Sequence, residues 1–132
     1  MRILKKTGGF TLLEILIVLV IVAVLAGLAV PSYQASVEKS RAQEALQGLS
    51  ATRDAMLRYH AMNNTYVGAA FGSSALDFDP NIAVGGQTLI FTYAISGLAA
   101  NTFTITATRQ GGPVGAVSID QAGTVVRAGV YA

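Results

Sequence analysis

The sequence predicts an α+β chain in which a long N-terminal α-helix packs its C-terminal half on a small antiparallel β-sheet of about four strands. Three observations predict it. Residues 10–30 are almost wholly apolar; residues 32–62 repeat small and apolar side chains at three-and-four spacing; residues 88–132 alternate apolar with threonine-rich positions between glycine-containing turns. The near-3.6 period marks a helix with one covered face, and the period of two marks half-buried strands. Short turns between such strands imply an antiparallel meander.

The apolar run from Phe10 to Val30 matches the roughly 20 residues that a helix needs to span a bilayer. It holds a single acid, Glu14. An unpaired carboxylate in that setting costs roughly 3 kcal/mol or more, so Glu14 requires a partner. An ordinary secretory signal would be cut behind its apolar stretch, beside small residues, and a plain membrane anchor with basic flanks would gain nothing from Glu14. At the far end of the run, Gly27 and Pro31 stand four apart. Proline at 31 cannot donate to the carbonyl at 27 and crowds it, and glycine is itself a poor helix former. The helix is therefore expected to have a weak turn there, either a kink or the exit from the membrane.

From Ser32 to about Met62 an amphipathic helix is expected, with Ala42, Ala45, Leu46, Leu49, Met56 and Tyr59 or His60 on the stripe that covers the sheet. Glu38 with Arg41, Arg41 with Glu44 and Asp54 with Arg58 stand at pairing distance along the solvated face. Residues 63–87 read as a loop, punctuated by Asn63-Asn64, Gly72-Ser73-Ser74, Asp79-Pro80 and Gly85-Gly86. Phe71, Leu76 and Phe78 are expected to pin it to the domain. The strands then follow: Leu89, Phe91, Tyr93 and Ile95 on one inward face; Phe103, Ile105 and Ala107 on the next, against a threonine face; Val117 and Ile119; and, past the Asp120-Gln121-Ala122-Gly123 turn, Thr124 to Arg127.

The segment Lys5-Lys6-Thr7-Gly8-Gly9-Phe10-Thr11-Leu12-Leu13-Glu14 resembles the class III signal of type IV pilins and type II secretion pseudopilins. The likeness is detailed over about the first 30 residues. Beyond them it is one of architecture, with a weaker likeness of residues 118–124 to the C-terminal strand turn of pilins. The resemblance implies a type IV pilin fold and three parts: a leader, residues 1–9, that is removed; a transmembrane and assembly helix, residues 10–30; and a globular domain, residues 31–132, with helix 32–62, αβ-loop 63–87 and sheet region 88–132. It implies a prepilin peptidase that cuts between Gly9 and Phe10, N-methylation of Phe10, and a homopolymer built through the apolar helix. The amine freed on Phe10 would lie four residues from Glu14, on the same side of a helix, and would form with it the assembly charge pair. The Gly27–Pro31 segment would be able to lose helicity in a filament. The expected partners are other pilin subunits, minor pilins, the inner membrane and the assembly machinery. The expected location is the inner membrane, with a cytoplasmic N-terminus, before extracellular assembly. Many pilins close a C-terminal loop with a disulfide; this chain has no cysteine.

Composition narrows the remaining functions. At 132 residues the chain accommodates one domain beside the apolar segment. The formal charge of +2 arises from Arg2, Lys5 and Lys6; after Gly9, six basic side chains face seven acidic ones. Basic residues before the helix belong to topology, and no strong basic field is left to argue for nucleic-acid binding. Catalysis is not expected. With one histidine, His60, and no cysteine, neither a Cys/His dyad nor a multi-ligand zinc pattern can be built, and Ser50, Ser73 and Ser96 lack a nucleophile elbow around them. Asp77 and Asp79 supply too few oxygens for calcium and read as a polar turn. The Gly85-Gly86 and Gly111-Gly112 pairs lack the lysine of a phosphate loop. No cofactor is expected, and Phe10, Tyr33 and Tyr59 read as packing and interfacial aromatics.

Overall fold

The computed structural model describes residues 8–132 except 84, 86 and 87. The leader residues Arg2, Lys5, Lys6 and Thr7, the glycine Gly86 and the loop end Gln87 lie outside the described residues. One helix, α1 (Leu12–Asn63), is followed by β1 (Phe91–Ser96), β2 (Thr104–Arg109), β3 (Gly115–Asp120) and β4 (Val125–Gly129). The strands form one antiparallel sheet in sequence order, as the alternation predicts. The chain divides into two units, the first ending at Val37 and the second spanning Glu38–Ala132.

The long N-terminal helix expected from sequence is a single element, since α1 continues through both Gly27 and Pro31. The proline removes one intrahelical donor, which a long helix tolerates. Two hydroxyls fold back on the backbone nearby, Ser32 Oγ donating to the Leu28 carbonyl at 3.5 Å and Ser36 Oγ to that of Ser32 at 3.0 Å. Every large apolar side chain from Leu12 to Val30 is exposed. A helix apolar on all sides is one built for burial in lipid or in other helices.

The second unit holds the core. Ala42, Ala45, Leu49, Ala55 and Met56 of α1 are buried with Phe91 and Tyr93 of β1, Ile105 and Ala107 of β2, and Val117 and Ile119 of β3. Leu46 and Tyr59 pack at its margin. Thr52 is buried although polar, because its hydroxyl donates to the Gly48 carbonyl at 2.8 Å. The helix stops at Asn64, whose left-handed φ of 55° forms a C-terminal cap, its N–H bonding the His60 carbonyl at 2.7 Å. The long loop is pinned as expected, with Leu76 buried and Phe71 and Phe78 packed on the core, and it adds Tyr66 and Ala69 to the interior.

Two of the three helix-surface pairs read from sequence do not form. Arg58 does not turn to Asp54 but forks onto Asp77 of the loop at 2.9 and 3.1 Å. Arg41 takes Glu38 at 2.7 Å rather than Glu44. The planar guanidinium prefers a bidentate carboxylate to a solvated neighbour one turn away. That fork holds the Asp77 carboxyl below its usual range, chiefly through the Arg58 hydrogen bond. Asp120 is likewise lowered, first by the N–H of Thr124 in the β3–β4 turn.

Helix and sheet approach closely at Gly48, where an added methyl would lie 2.6 Å from Cζ of Tyr93. Gly48→Ala should therefore lower stability by about 1–2 kcal/mol despite alanine's better helix propensity. Gly27→Ala, with nothing within 4 Å, should be neutral or stabilising; chemical denaturation of both variants checks the contrast. Acid should also destabilise the second unit. Asp77 and Asp120 are depressed in the fold, so their contribution is present above the ordinary carboxylate value near 3.8 and fades as pH falls through their lower folded values. A pH series of melts should show this loss, blunted in Asp120→Asn.

Candidate functional site

The first site is the junction ahead of α1. Gly8, Gly9, Phe10 and Thr11 are non-helical and exposed, and the two glycines have nothing near their Cα atoms. The Gly9–Phe10 peptide is thus an accessible stretch of chain two residues before a helix. Phe10 lies ahead of the helix in the uncleaved chain, two residues before its first helical residue, Leu12.

The residue that starts the helix is Thr11. Its Oγ1 accepts the N–H of Glu14 at 3.2 Å, and its carbonyl accepts the N–H of Ile15. Thr11-Leu12-Leu13-Glu14 is the sequence of a capping box, with Thr11 as N-cap and Glu14 three residues on. The acid therefore sits in the first helical turn, where the unpaired N–H groups and the macrodipole favour negative charge. Its requirement for a partner is met in part by the helix itself. The T-x-x-E spacing carried this signal in the sequence, and the reading of Glu14 purely as a charge in search of an amine passed over it.

A second constellation sits where the second unit begins. Glu38 receives Arg41 at 2.7 Å and Arg109 at 3.3 Å on Oε1, and the Tyr131 hydroxyl at 3.2 Å on Oε2. The Arg109 side chain is only 5% exposed, and its Nε is buried without a hydrogen-bond partner. Burial and the carboxylate beside it both raise the Tyr131 hydroxyl, keeping it a donor. One carboxylate thus ties α1 to the end of β2 and to the segment after β4. At the other end of the sheet, Arg53 donates to the Gln121 carbonyl at 2.9 Å and lies against the Gly123 turn.

The remaining candidates are placed as follows. His60 stacks on Tyr66 with ring centroids 4.4 Å apart and stands 3.4 Å from Asn101 Oδ1. Asp79 accepts the N–H of Asn81, whose side-chain amide pairs with both backbone groups of Tyr93 on the outer edge of β1. Among the described residues no group of three or more His, Asp and Glu side chains is arranged to hold a metal. Alpha-1 contains a window long and apolar enough to cross a membrane, none of it buried.

An exposed apolar helix behind an open Gly-Phe junction, joined to a four-stranded antiparallel sheet, defines a pilin-like subunit. A family model described as "Type IV minor pilin ComP, DNA uptake sequence receptor" matches residues 31–117, and one described as "Prokaryotic N-terminal methylation motif" matches residues 4–30. The chain belongs to the type IV pilin and pseudopilin family, within the group that the first description names. It is 37% identical over 79 residues, 60% of this chain and 55% of the relative, to the type II secretion system core protein G of Aeromonas hydrophila. The same protein of Escherichia coli K12 is 42% identical over 66 residues, 50% of this chain and 46% of the relative. The type IV major pilin protein PilE of Neisseria gonorrhoeae is 35% identical over 80 residues, 56% of this chain and 47% of the relative. The chain spans about half the length of these curated relatives. No solved structure matches.

The Glu38 constellation has a measurable consequence. Glu38→Ala strands the buried Arg109 charge and should cost about 2–4 kcal/mol, whereas Arg41→Ala, which removes a partly exposed partner, should cost about 1 kcal/mol or less. Urea unfolding of the two variants separates them.

Proposed function

We propose that this chain is a structural subunit of a type IV pilus, made as a membrane-anchored precursor, cut between Gly9 and Phe10, methylated on Phe10, and polymerised through residues 10–30. The observation that carries the reading is the uncovered apolar length of α1 directly behind an exposed Gly9–Phe10 bond. Its surface leaves lipid only for a comparably apolar setting, which a bundle of identical helices provides. That exchange is nearly neutral in hydrophobic terms, so selectivity rests on packing and charge.

Glu14 then acts twice. It complements the helix N-terminus, and it neutralises the ammonium that cleavage creates. An ammonium at that end alone would be opposed by the macrodipole. Bringing the Phe10 amine to Glu14 requires the helix to extend over residues 10 and 11 after the leader is gone, or the amine to reach Glu14 of a neighbouring subunit. The turn between Gly27 and Pro31 is the place where α1 would yield most readily during assembly.

A second reading, a pseudopilin of a secretion piston, is favoured by the relatives named as type II secretion core protein G. The family description that mentions a DNA receptor finds little support in the charges. Of the six basic side chains after Gly9, Arg41, Arg53, Arg58 and Arg109 are bound to groups within the second unit, which leaves Lys39 and Arg127 for phosphates. Identification of this chain in purified surface filaments supports the pilus reading; its restriction to short periplasmic assemblies supports the piston.

Glu14→Ala should be inserted and processed normally but assemble poorly, and normal fibre numbers would count against the pairing. Gly9→Ala should accumulate as precursor. Mass analysis of the wild-type N-terminus should find methylated Phe10, and an intact Met1 in assembled material would refute the cleavage assignment.

A further inference from the structure

The two flanks of the second unit, Glu38–Ala132, end differently. On the β1 flank the strand edge is closed by Asn81, whose amide pairs with both backbone groups of Tyr93. Among the described residues nothing closes the β4 edge in this way. Backbone bonds join Thr124 to Asp120 and Val130 to Val114 at the two ends of the β3–β4 ladder, so by antiparallel alternation the N–H and C=O of Val125 and Arg127 face outward. Both side chains are exposed as well.

Charge divides along the same line. Glu44 stands one turn before Gly48, against which the Tyr93 ring of β1 lies; burial, and then the Glu44 carboxylate, raise the Tyr93 hydroxyl. Asp79 reaches the same strand through Asn81, whose N–H it accepts at 2.9 Å, and the exposed Ile82 follows beside it. Neither carboxylate has an ion-pair partner among the described residues. On the β4 flank the free charges are positive. Arg127 and Lys39 are exposed and unpaired. Lys39 precedes Arg53 by about four helical turns and so shares the face that Arg53 turns to the β3–β4 turn, where its own partner, the Gln121 carbonyl, is neutral.

The register aligns the two sets. Tyr93 pairs with Ala107, Ala107 with Val117, and Val117 with Arg127, so Arg127 ends the cross-strand row that begins beside Glu44 and Asp79. A copy displaced sideways along that row sets Arg127 against those carboxylates with no shift along the strands. We infer that the β4 flank of one copy docks on the β1 flank of the next, with Arg127 meeting Glu44 and Asp79 of the neighbouring copy. Two β4 flanks facing each other would instead bring Arg127 and Lys39 onto like charges. The contact joins unlike surfaces, so it propagates along a row of subunits rather than closing on a pair. The inference rests on the homopolymer reading above and supplies its contact between folded domains.

The chain has no cysteine, so introduced thiols report without background. The full-length double variant Ile82→Cys, Val125→Cys is treated with a short bismaleimide in membranes of producing cells. It should give a ladder of dimer, trimer and higher species, while either single variant gives little beyond monomer. Arg127→Glu and Glu44→Lys should each weaken the ladder several-fold, and the two together should restore most of it. Both positions are exposed, so melts of the variants should stay near the parent's. A ladder indifferent to these reversals, or not restored by the pair, overturns the proposal. Sensitivity to Arg127→Glu without sensitivity to Glu44→Lys also overturns it, assigning the β4 flank to another occupant, as do Val125→Cys dimers that stop at two, which mean paired β4 edges. Association through any surface is read separately, by co-isolating an untagged copy with an epitope-tagged one. Co-isolation without a ladder overturns the docking and leaves the polymer standing, whereas the absence of both overturns the homopolymer reading as well.

Discussion

The apolar length of α1 from Leu12 to Val30 has no cover within the described chain, and the rest of the design answers to that. At about 25 cal/mol per Å², covering that apolar surface is strongly favourable, which is what the proposed lipid and helix-bundle settings would supply. The positions that tolerate polarity along it are correspondingly few. Thr11 and Glu14 are both at the capped first turn, where otherwise unpaired N–H groups make a polar pair useful.

The second unit has the opposite problem. Without a disulfide, a sheet of four short strands must be closed by side chains. Three sets of contacts do this: the Glu38 cluster at one end, Arg53 on the β3–β4 turn at the other, and the Arg58–Asp77 fork that draws the long loop onto α1. The Asn81 amide also occupies the outward backbone groups of Tyr93, standing in for a missing neighbour strand on the β1 edge. That blunts an edge otherwise open to pairing with another chain.

The strands and the covered stripe of α1 were legible because they follow from periodicities of one element. Phe91, Tyr93, Phe103, Ile105, Ala107, Val117 and Ile119 all alternate and are all buried. The pairings were not legible because they join residues far apart in sequence. Arg58 is 19 residues from Asp77, Glu38 is 71 from Arg109 and 93 from Tyr131. Neighbour rules for helices assign Arg58 to Asp54, and a loop carboxylate offering two hydrogen bonds outcompetes it. Thr52 escaped notice for a related reason: its hydroxyl is satisfied within the helix, so a polar residue occupies the core at no hydrogen-bonding penalty. The fourth strand is fully exposed and was legible from its place after the Asp120–Gly123 turn rather than from burial on one face. The Gly9–Phe10 junction was legible as a motif, but that it precedes the helix depended on the Thr11 cap.

Stiffness within α1 is distributed by the same contacts. Near Gly27 no atom lies within 4 Å of where a side chain would start, and Pro31 removes a hydrogen bond, so the turn between them is held by little beyond its remaining backbone bonds. From Glu38 onward the helix is fixed by an ion cluster, a buried stripe and the sheet. The boundary between the units at Val37 and Glu38 falls at this change. Segments open first where tertiary contacts are fewest, so extension of a subunit held by its apolar helix would be taken up before Glu38, and the folded sheet would be spared. A proline placed after Glu38 would instead break a turn on which the core depends; at position 31 it confines the weakness to a part of α1 with no core contacts to lose.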